Sequence, residues 1–152
     1  MERSLTEEDV TKGIMKWLVG NGWEIVCFDF PQSGTGRQIH PNNHTDKTSG
    51  IIVPDIIAVK DKTALYFEDK DRFYTPDFEK IRLIKTTGTH SDGLRDLLSD
   101  FDLRQMFYGI GMPYSPTNFA KSKKADSSVD FIFLFGGADC PAIIDRRGGI
   151  FA

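Results

Sequence analysis

Two runs rich in β-branched and aromatic residues constrain the fold more than any other feature of the sequence. They are IIVPDIIAV (residues 51–59) and TALYFEDK (residues 63–70), and only the polar residues KDK separate them. Two such runs joined by so short a polar linker are typical of a β-hairpin. Apolar residues cover both faces of both predicted strands, which indicates that the hairpin lies in the interior of a sheet.

The polar residues of this hairpin form a pattern of their own. A two-residue turn pairs Lys60 with Thr63 and, counted back along both strands, puts Asp55 opposite Glu68. Side chains at such positions lie about 5 Å apart on one face, and the strand period puts Lys70 on that face as well. Two carboxylates this close repel unless a cation lies between them, and their hard oxygen atoms suit Mg²⁺. The alternative is a solvated hairpin with an ordinary Glu/Lys pair, which the apolar surroundings disfavour.

The rest of the chain alternates helical and strand patterns. A helix capped by Thr6 and Asp9 is predicted to end at Gly20. Further strands are predicted at residues 23–30, 129–135 and 142–144, and further helices at residues 76–88 and 91 to about 109. The order of helix, three strands, two helices and strand indicates an α/β fold with a central mixed sheet flanked by helices.

The hairpin motif resembles the signature of a known family. Pro54-Asp55, twelve intervening residues and Glu68-x-Lys70 are similar to the motif of the PD-(D/E)xK phosphodiesterase superfamily, which includes restriction endonucleases and Holliday-junction resolvases. The resemblance covers residues 6–135 and implies a restriction endonuclease-like αβββαβ core. It also implies a nuclease in which Asp55 and Glu68 bind Mg²⁺, with Mn²⁺ as a substitute. In such an enzyme the carbonyl of Asp69 completes the metal coordination and Lys70 assists the attacking water.

Members of this superfamily often use an acid from the first helix as a further ligand or to position a metal-bound water. At about 100° per residue, Glu7 falls within the arc of Val10 and Ile14, whereas Glu8 falls at the margin of that arc. Glu7 is therefore the preferred candidate. The alternative is that Glu7 and Glu8 only complement the helix dipole in the first turn.

Two groups of residues are candidates for contacts with DNA. The long polar segment at residues 32–50 carries donors and acceptors suited to base edges and phosphates, namely Arg37, Gln38, His40 and Asn43. A compact basic run later in the chain consists of Lys121, Lys123 and Lys124. The alternative for both groups is an ordinary solvated surface.

Composition sets limits on the protein class. With 152 residues, 39% apolar and 27% charged, the chain suits one globular domain spanning residues 1–152. Because the net charge is −3, DNA binding requires a local basic patch. The two cysteines lack metal-ligand spacing, and the longest apolar run is far short of the ~20 residues that cross a bilayer. We therefore expect a cytoplasmic protein that does not associate with membranes.

The resemblance to the nuclease superfamily implies a Mg²⁺-dependent DNA endonuclease, either a restriction-type enzyme or the catalytic subunit of one. The chain is short for a stand-alone sequence-specific enzyme, so we expect a homodimer or a separate recognition subunit. A structure-specific repair or junction-resolving nuclease is the alternative within the superfamily, and the acidic composition disfavours it. A non-catalytic nucleic-acid-binding module on the same fold is the alternative outside enzymes, and the intact set of Asp55, Glu68 and Lys70 disfavours it.

Overall fold

A computed structural model describes residues 5–31, 33–42, 50–136 and 141–151 of the chain. These residues form ten elements, in the order α1 (Glu7–Gly20), β1 (Glu24–Phe28), β2 (Ile56–Lys60), β3 (Thr63–Asp69), α2 (Thr75–Thr87), α3 (Ser91–Leu97), β4 (Gln105–Pro113), α4 (Pro116–Lys123), β5 (Phe131–Phe135) and β6 (Ala142–Asp145). The strands make one six-stranded sheet in the order β1-β2-β3-β4-β5-β6. Strand β4 is parallel to β3 and to β5, and the other neighbours are antiparallel. The predicted α/β class with a mixed sheet is therefore confirmed.

The β2–β3 hairpin has the predicted register. Lys60 pairs with Thr63, and the pairing continues as far as Ile56 opposite Phe67. The first strand is shorter than predicted, because it begins at Ile56 rather than at residue 51. Pro54 has no N–H to donate to a ladder, and the chain bends directly after it. This bend places Asp55, the residue directly before β2, outside the regular strand.

Helix α1 begins as the sequence predicts. The Thr6 hydroxyl accepts a hydrogen bond from the Asp9 N–H (3.1 Å), and the Asp9 carboxylate accepts one from the Thr6 N–H (2.9 Å). This capping box satisfies two backbone donors at the start of the helix. The buried side of α1 packs on one face of the sheet, in a core that contains Phe67, Phe131 and Phe133. Helices α2 and α3 pack on the opposite face.

The sequence prediction is wrong for residues 98–113. It gives one helix from residue 91 to about 109, whereas α3 has only seven residues and a nine-residue strand, β4, follows it. Gly109 and Gly111 indicate a helix end in the sequence, but in the strand they make room for neighbouring side chains. A Cβ atom at Gly109 would overlap the Phe131 ring, and one at Gly111 would overlap the Asp69 carboxylate.

Helix α4 lies between the predicted helix that ends near residue 109 and the predicted strand at residues 129–135, where no helix is predicted. Its N-cap is Ser115, whose hydroxyl accepts a hydrogen bond from the Asn118 N–H (2.9 Å), and Pro116 occupies the first helical position. A serine followed by a proline is a recognised start signal for a helix. None of the helices in the described part of the chain is long and apolar enough to cross a membrane.

The topology brings several chain segments together at one end of the sheet, which we call the site end. Strand β2 is antiparallel to β3, and β3, β4 and β5 are parallel to one another, so the start of β2 meets the ends of these three strands. The first half of α1 reaches the same end, because the Thr11 hydroxyl donates to the Asp69 carboxylate at 2.8 Å. Helices α2 and α4 follow the ends of β3 and β4 and therefore begin there.

Candidate active site

Asp55 and Glu68 lie together at the site end and are almost completely buried, with 8% and 5% of their surface exposed. The Asp55 N–H donates to the Phe67 carbonyl at 3.1 Å, and one Asp55 carboxylate oxygen accepts a hydrogen bond from the Asp69 N–H at 2.7 Å. The Asp55 and Glu68 carboxyl groups are close enough to share a hydrogen bond when one of them is protonated. The hairpin register thus brings the two acids together as the sequence predicts, although the bend at Asp55 ends the ladder one residue earlier.

Burial makes these carboxyl groups hard to ionise. Burial, and after it the negative charge of Glu68, raise the pKa of Asp55 to about 10. Burial also raises the pKa of Glu68, against the opposing effect of the nearby Lys80 ammonium. The pKa of Asp69 rises to about 7 because its side chain is fully buried, although the hydrogen bond from Thr11 acts in the opposite direction. A bound cation would relieve this cost.

Two buried carboxylate oxygens at the site end have no hydrogen-bond partner. They are Oδ1 of Asp69, whose other oxygen accepts the bond from Thr11, and Oδ2 of Asp77 in the first turn of α2. Buried polar atoms in native proteins are nearly always paired, so an unpaired buried oxygen points to a ligand or solvent. We call Glu7, Asp55, Glu68, Asp69 and Asp77 the acidic cluster.

Glu7 and Lys70 lie at the margin of this cluster. Burial raises the pKa of the half-buried Glu7, the charge of Lys70 lowers it, and the charges of Asp71 and Asp77 raise it. The Lys70 ammonium lies 5.1 Å from the ring centroid of Tyr74. Burial raises the pKa of Asp77, and the charge of Lys70 opposes that shift. Lys70 therefore lies near Glu7 and Asp77, and its contacts among the described residues do not include Glu68.

The cation that contacts Glu68 is Lys80, which the sequence analysis does not single out. Its ammonium lies 2.9 Å from Oε1 of Glu68. Burial lowers the pKa of Lys80, but the charge and hydrogen bond of Glu68, together with the charges of Asp55 and Asp77, outweigh that effect, so the net shift is upward. Asp77 and Lys80 are three residues apart on α2, which places both on one side of the helix. That spacing is the available sequence signal, and only the packing of α2 against the sheet connects it to the hairpin.

The predicted DNA contacts divide into two groups. Arg37, Gln38 and His40 line a cavity of about 520 Å³ whose other wall includes Asp92 and Asp96 of α3, away from the acidic cluster. Their role in DNA binding stays a prediction, and the predicted contact at residue 43 lies outside the described residues.

The basic run lies on and directly after α4. The Lys121 ammonium is 5.8 Å from the ring centroid of Phe73, and the Lys123 ammonium is 4.4 Å from that of Phe119. Lys121 therefore lies beside the segment that joins β3 to α2, whereas the contact of Lys123 is with its own helix. Lys124 is the C-cap of α4 and is exposed.

The chemistry of the acidic cluster suits a hard divalent cation. Carboxylate oxygens are the ligands that Mg²⁺ and Mn²⁺ prefer, and Asp69 and Asp77 each have an unpaired oxygen to offer. As the side chains stand, however, no group of three or more His, Cys, Asp or Glu residues among those described is arranged to hold a metal ion. A metal bound to Oε1 of Glu68 would have to displace the Lys80 ammonium, which lies 2.9 Å from that oxygen.

Comparison of the chain with protein-family models, with curated proteins and with solved structures gives no match.

We expect the metal-free protein to lose stability as the pH rises from about 6 to about 7. The unfolded chain releases the protons of Asp55 and Asp69 near pH 3.8, whereas the folded protein holds them up to about 10 and about 7. The free energy of unfolding therefore falls with pH between these values. Each proton held over one pH unit is worth about 1.4 kcal/mol, so the two groups together lower the Tm of a chain this size by roughly 5–11 °C.

Thermal denaturation in EDTA measures this effect, with Asp55→Asn as the control. The variant removes one of the two titrating groups, so its Tm is expected to depend less on pH. Addition of Mn²⁺ is expected to raise the Tm more at the higher pH, where the carboxylates are ionised. A Tm that rises with pH in EDTA would contradict the prediction.

We expect Lys80→Met to bind Mn²⁺ several-fold more tightly than the wild-type protein. The substitution removes the cation that competes for Glu68 and that repels a second cation nearby. Isothermal titration calorimetry measures the change, and Lys62→Met is the matched control, because Lys62 pairs with the exposed Asp102 at the turn of the hairpin. Weaker Mn²⁺ binding by Lys80→Met would mean that Lys80 holds Glu68 in the metal-binding position.

Proposed function

We propose that the protein is a Mg²⁺-dependent DNA endonuclease built on a restriction endonuclease-like core, with Mn²⁺ as a substitute. The observation that carries this proposal is the buried Asp55–Glu68 pair at strand ends, beside two carboxylate oxygens that lack hydrogen-bond partners. Burying acids in this way is costly unless a ligand compensates for their charge. The resemblance of the Asp55, Glu68 and Lys70 pattern to the nuclease motif supplies the reaction class.

Each residue of the site has a proposed role that follows from its position. Asp55 and Glu68 are the principal metal ligands, the backbone carbonyl of Asp69 is a third, and Glu7 positions water from the first turn of α1. When bound, the metal stabilises the charge that develops on the phosphate and lowers the pKa of a bound water. Lys70 carries a positive charge at the margin of the cluster, where it donates hydrogen bonds to the attacking water or to a phosphate oxygen.

The proposed partner is DNA, bound by a homodimer or together with a separate recognition subunit. One active site of this kind cleaves one strand, so a double-strand break needs two sites. The lysines of α4 lie on the same side of the sheet as α2. They supply a local positive charge for phosphate binding on a protein whose net charge is −3.

Incubation with supercoiled plasmid tests the proposal. The purified chain is incubated with Mg²⁺, with Mn²⁺ or with EDTA, and the products are separated on an agarose gel. Cleavage or nicking that requires the divalent ion supports the proposal. Discrete fragments indicate a site-specific enzyme, and nicks alone indicate that a second subunit is needed for double-strand breaks. An intact plasmid under all conditions, with a preparation that folds and binds Mn²⁺, would overturn the proposal for double-stranded DNA.

A further inference from the structure

Aromatic side chains lie beside the acidic cluster at the site end. Each follows the end of a strand or lies in the helix after it, and each is half-buried or exposed. We call them the aromatic rim: Phe30, Phe73, Tyr74, Tyr114 and Phe119. The N–H of Asp29, directly before Phe30, donates to the Asp55 carbonyl at 2.9 Å. The Tyr114 N–H donates to the Phe135 carbonyl at 2.7 Å. Both hydrogen bonds fix rim segments at the end of the sheet that carries the acids.

Five lysine and arginine side chains contact the rings of this rim. The distances from cation to ring centroid are 5.0 Å for Lys12 on Phe30, 5.1 Å for Lys70 on Tyr74, 4.8 Å for Arg72 on Tyr74, 5.8 Å for Lys121 on Phe73 and 4.4 Å for Lys123 on Phe119. Energetically significant cation–ring contacts occur about once per 70–80 residues in proteins. Five of them at one end of a single small sheet are therefore a local concentration, and within the described residues the one other contact, Lys60 on Trp23, lies at the opposite end.

The exposed cations of the rim are available to a phosphate. Lys12 pairs with Glu8 and Arg72 pairs with Asp71, but all four side chains are between 43% and 61% exposed. Ion pairs this exposed contribute little free energy. A phosphate can therefore replace the carboxylate partner at small cost, and the neutralisation of phosphate charge favours the exchange.

Rings and cations together suit one class of ligand. A groove that binds unpaired nucleic acid combines cations for the backbone with aromatic rings on which bases stack. The base faces of a duplex are covered by neighbouring base pairs, so surface rings reach only unpaired bases. Tyr114, with 38% of its surface exposed, and its neighbour Phe119, 6.1 Å away between ring centroids, are the members best placed for such stacking.

We infer that the segment bound at the site end is an unpaired DNA strand that crosses the acidic cluster between the two parts of the rim. Lys12 and Phe30 lie on the side of α1 and β1, and the other members lie on the side of α2 and α4. A strand that contacts both parts passes over Asp55 and Glu68. This inference rests on the proposed function and narrows its substrate to single strands, flaps or frayed duplex ends.

Fluorescence anisotropy with labelled DNA tests the inference, with Ca²⁺ in place of Mg²⁺ so that binding is measured without cleavage. The probes are an oligomer of about twenty thymidines, which exceeds the roughly 4–16 nucleotides that one such site covers, and a blunt hairpin duplex of similar charge. We expect the single strand to bind at least tenfold more tightly. Tyr114→Ala combined with Phe119→Ala is expected to weaken single-strand binding by roughly 5- to 150-fold, since each stacked base is worth about 1–3 kcal/mol.

Leu83→Ala is the matched control, because Leu83 is 45% exposed and lies in the second half of α2. Its affinity for the single strand is expected to equal that of the wild-type protein. Tighter binding of the blunt duplex, equal single-strand affinity in the Tyr114/Phe119 variant, or no binding of either probe would overturn the inference. Single-strand binding without cleavage by Mg²⁺ or Mn²⁺ would instead support the inference and overturn the proposed function.

Discussion

Asp55→Asn and Glu68→Gln are each expected to lower the rate of DNA cleavage by roughly three orders of magnitude or more. Each substitution removes one negative charge from the proposed metal site, and metal-ion catalysis supplies several kcal/mol of stabilisation, with about 1.4 kcal/mol per tenfold in rate. The amide variants preserve the shape of the side chains. Asn at position 55 retains an oxygen that can accept the hydrogen bond from the Asp69 N–H.

Initial rates on the DNA probe that the wild-type protein cleaves best, together with calorimetric Mn²⁺ binding, measure the effect. Asp61→Asn is the control, because it removes a carboxylate from the other end of the same hairpin. Asp61 has φ of 53°, a conformation that Asn adopts readily, so the control variant folds normally and retains the wild-type rate. Unchanged Mn²⁺ affinity in both site variants would contradict the assignment of Asp55 and Glu68 as ligands.

The hairpin was predictable because the sequence features that determine it lie close together in the chain. A short turn and two apolar runs determine the register that pairs Lys60 with Thr63, and counting along that register brings Asp55 to Glu68. The capping box of α1 is also local, since Thr6 and Asp9 are three residues apart. The α/β class follows from such elements taken in order.

The errors concern features that depend on neighbours distant in sequence. Gly109 and Gly111 indicate a helix end when their own segment is considered alone, and only the Phe131 ring and the Asp69 carboxylate beside them explain why a strand needs glycine there. Lys80 reaches Glu68 because α2 packs over the sheet. No spacing within the hairpin predicts that contact.

The position of Lys70 was predicted from strand periodicity, but the strand ends one residue before it. Its backbone N–H still donates to the Gly111 carbonyl at 3.0 Å, whereas its side chain turns to the ring of Tyr74. The site therefore contains two lysines with different surroundings. Lys80 neutralises a proposed metal ligand, and Lys70 lies where α1, β3 and α2 meet, beside the path inferred for the DNA strand.

This difference separates the roles of the two lysines in a single experiment. We expect Lys70→Ala to bind Mn²⁺ as the wild-type protein does and to cleave DNA roughly 10²- to 10³-fold more slowly, which is the usual cost of removing one preorganised hydrogen-bond donor from a site where charge develops. Lys80→Met, in contrast, is expected to change Mn²⁺ affinity first. Lys70→Arg restores the positive charge and the hydrogen-bond donors but does not give up a proton near neutral pH.

We expect Lys70→Arg to cleave at least tenfold faster than Lys70→Ala, because a charge placed among Glu7, Asp77 and the substrate phosphate orients water without losing its own proton. Rates are measured at saturating Mn²⁺ so that differences in metal affinity do not enter. An arginine variant as slow as the alanine variant would assign proton abstraction to Lys70. A Lys70→Ala variant that cleaves at the wild-type rate would make Lys70 a surface residue and would leave the resemblance to the nuclease motif resting on Asp55 and Glu68 alone.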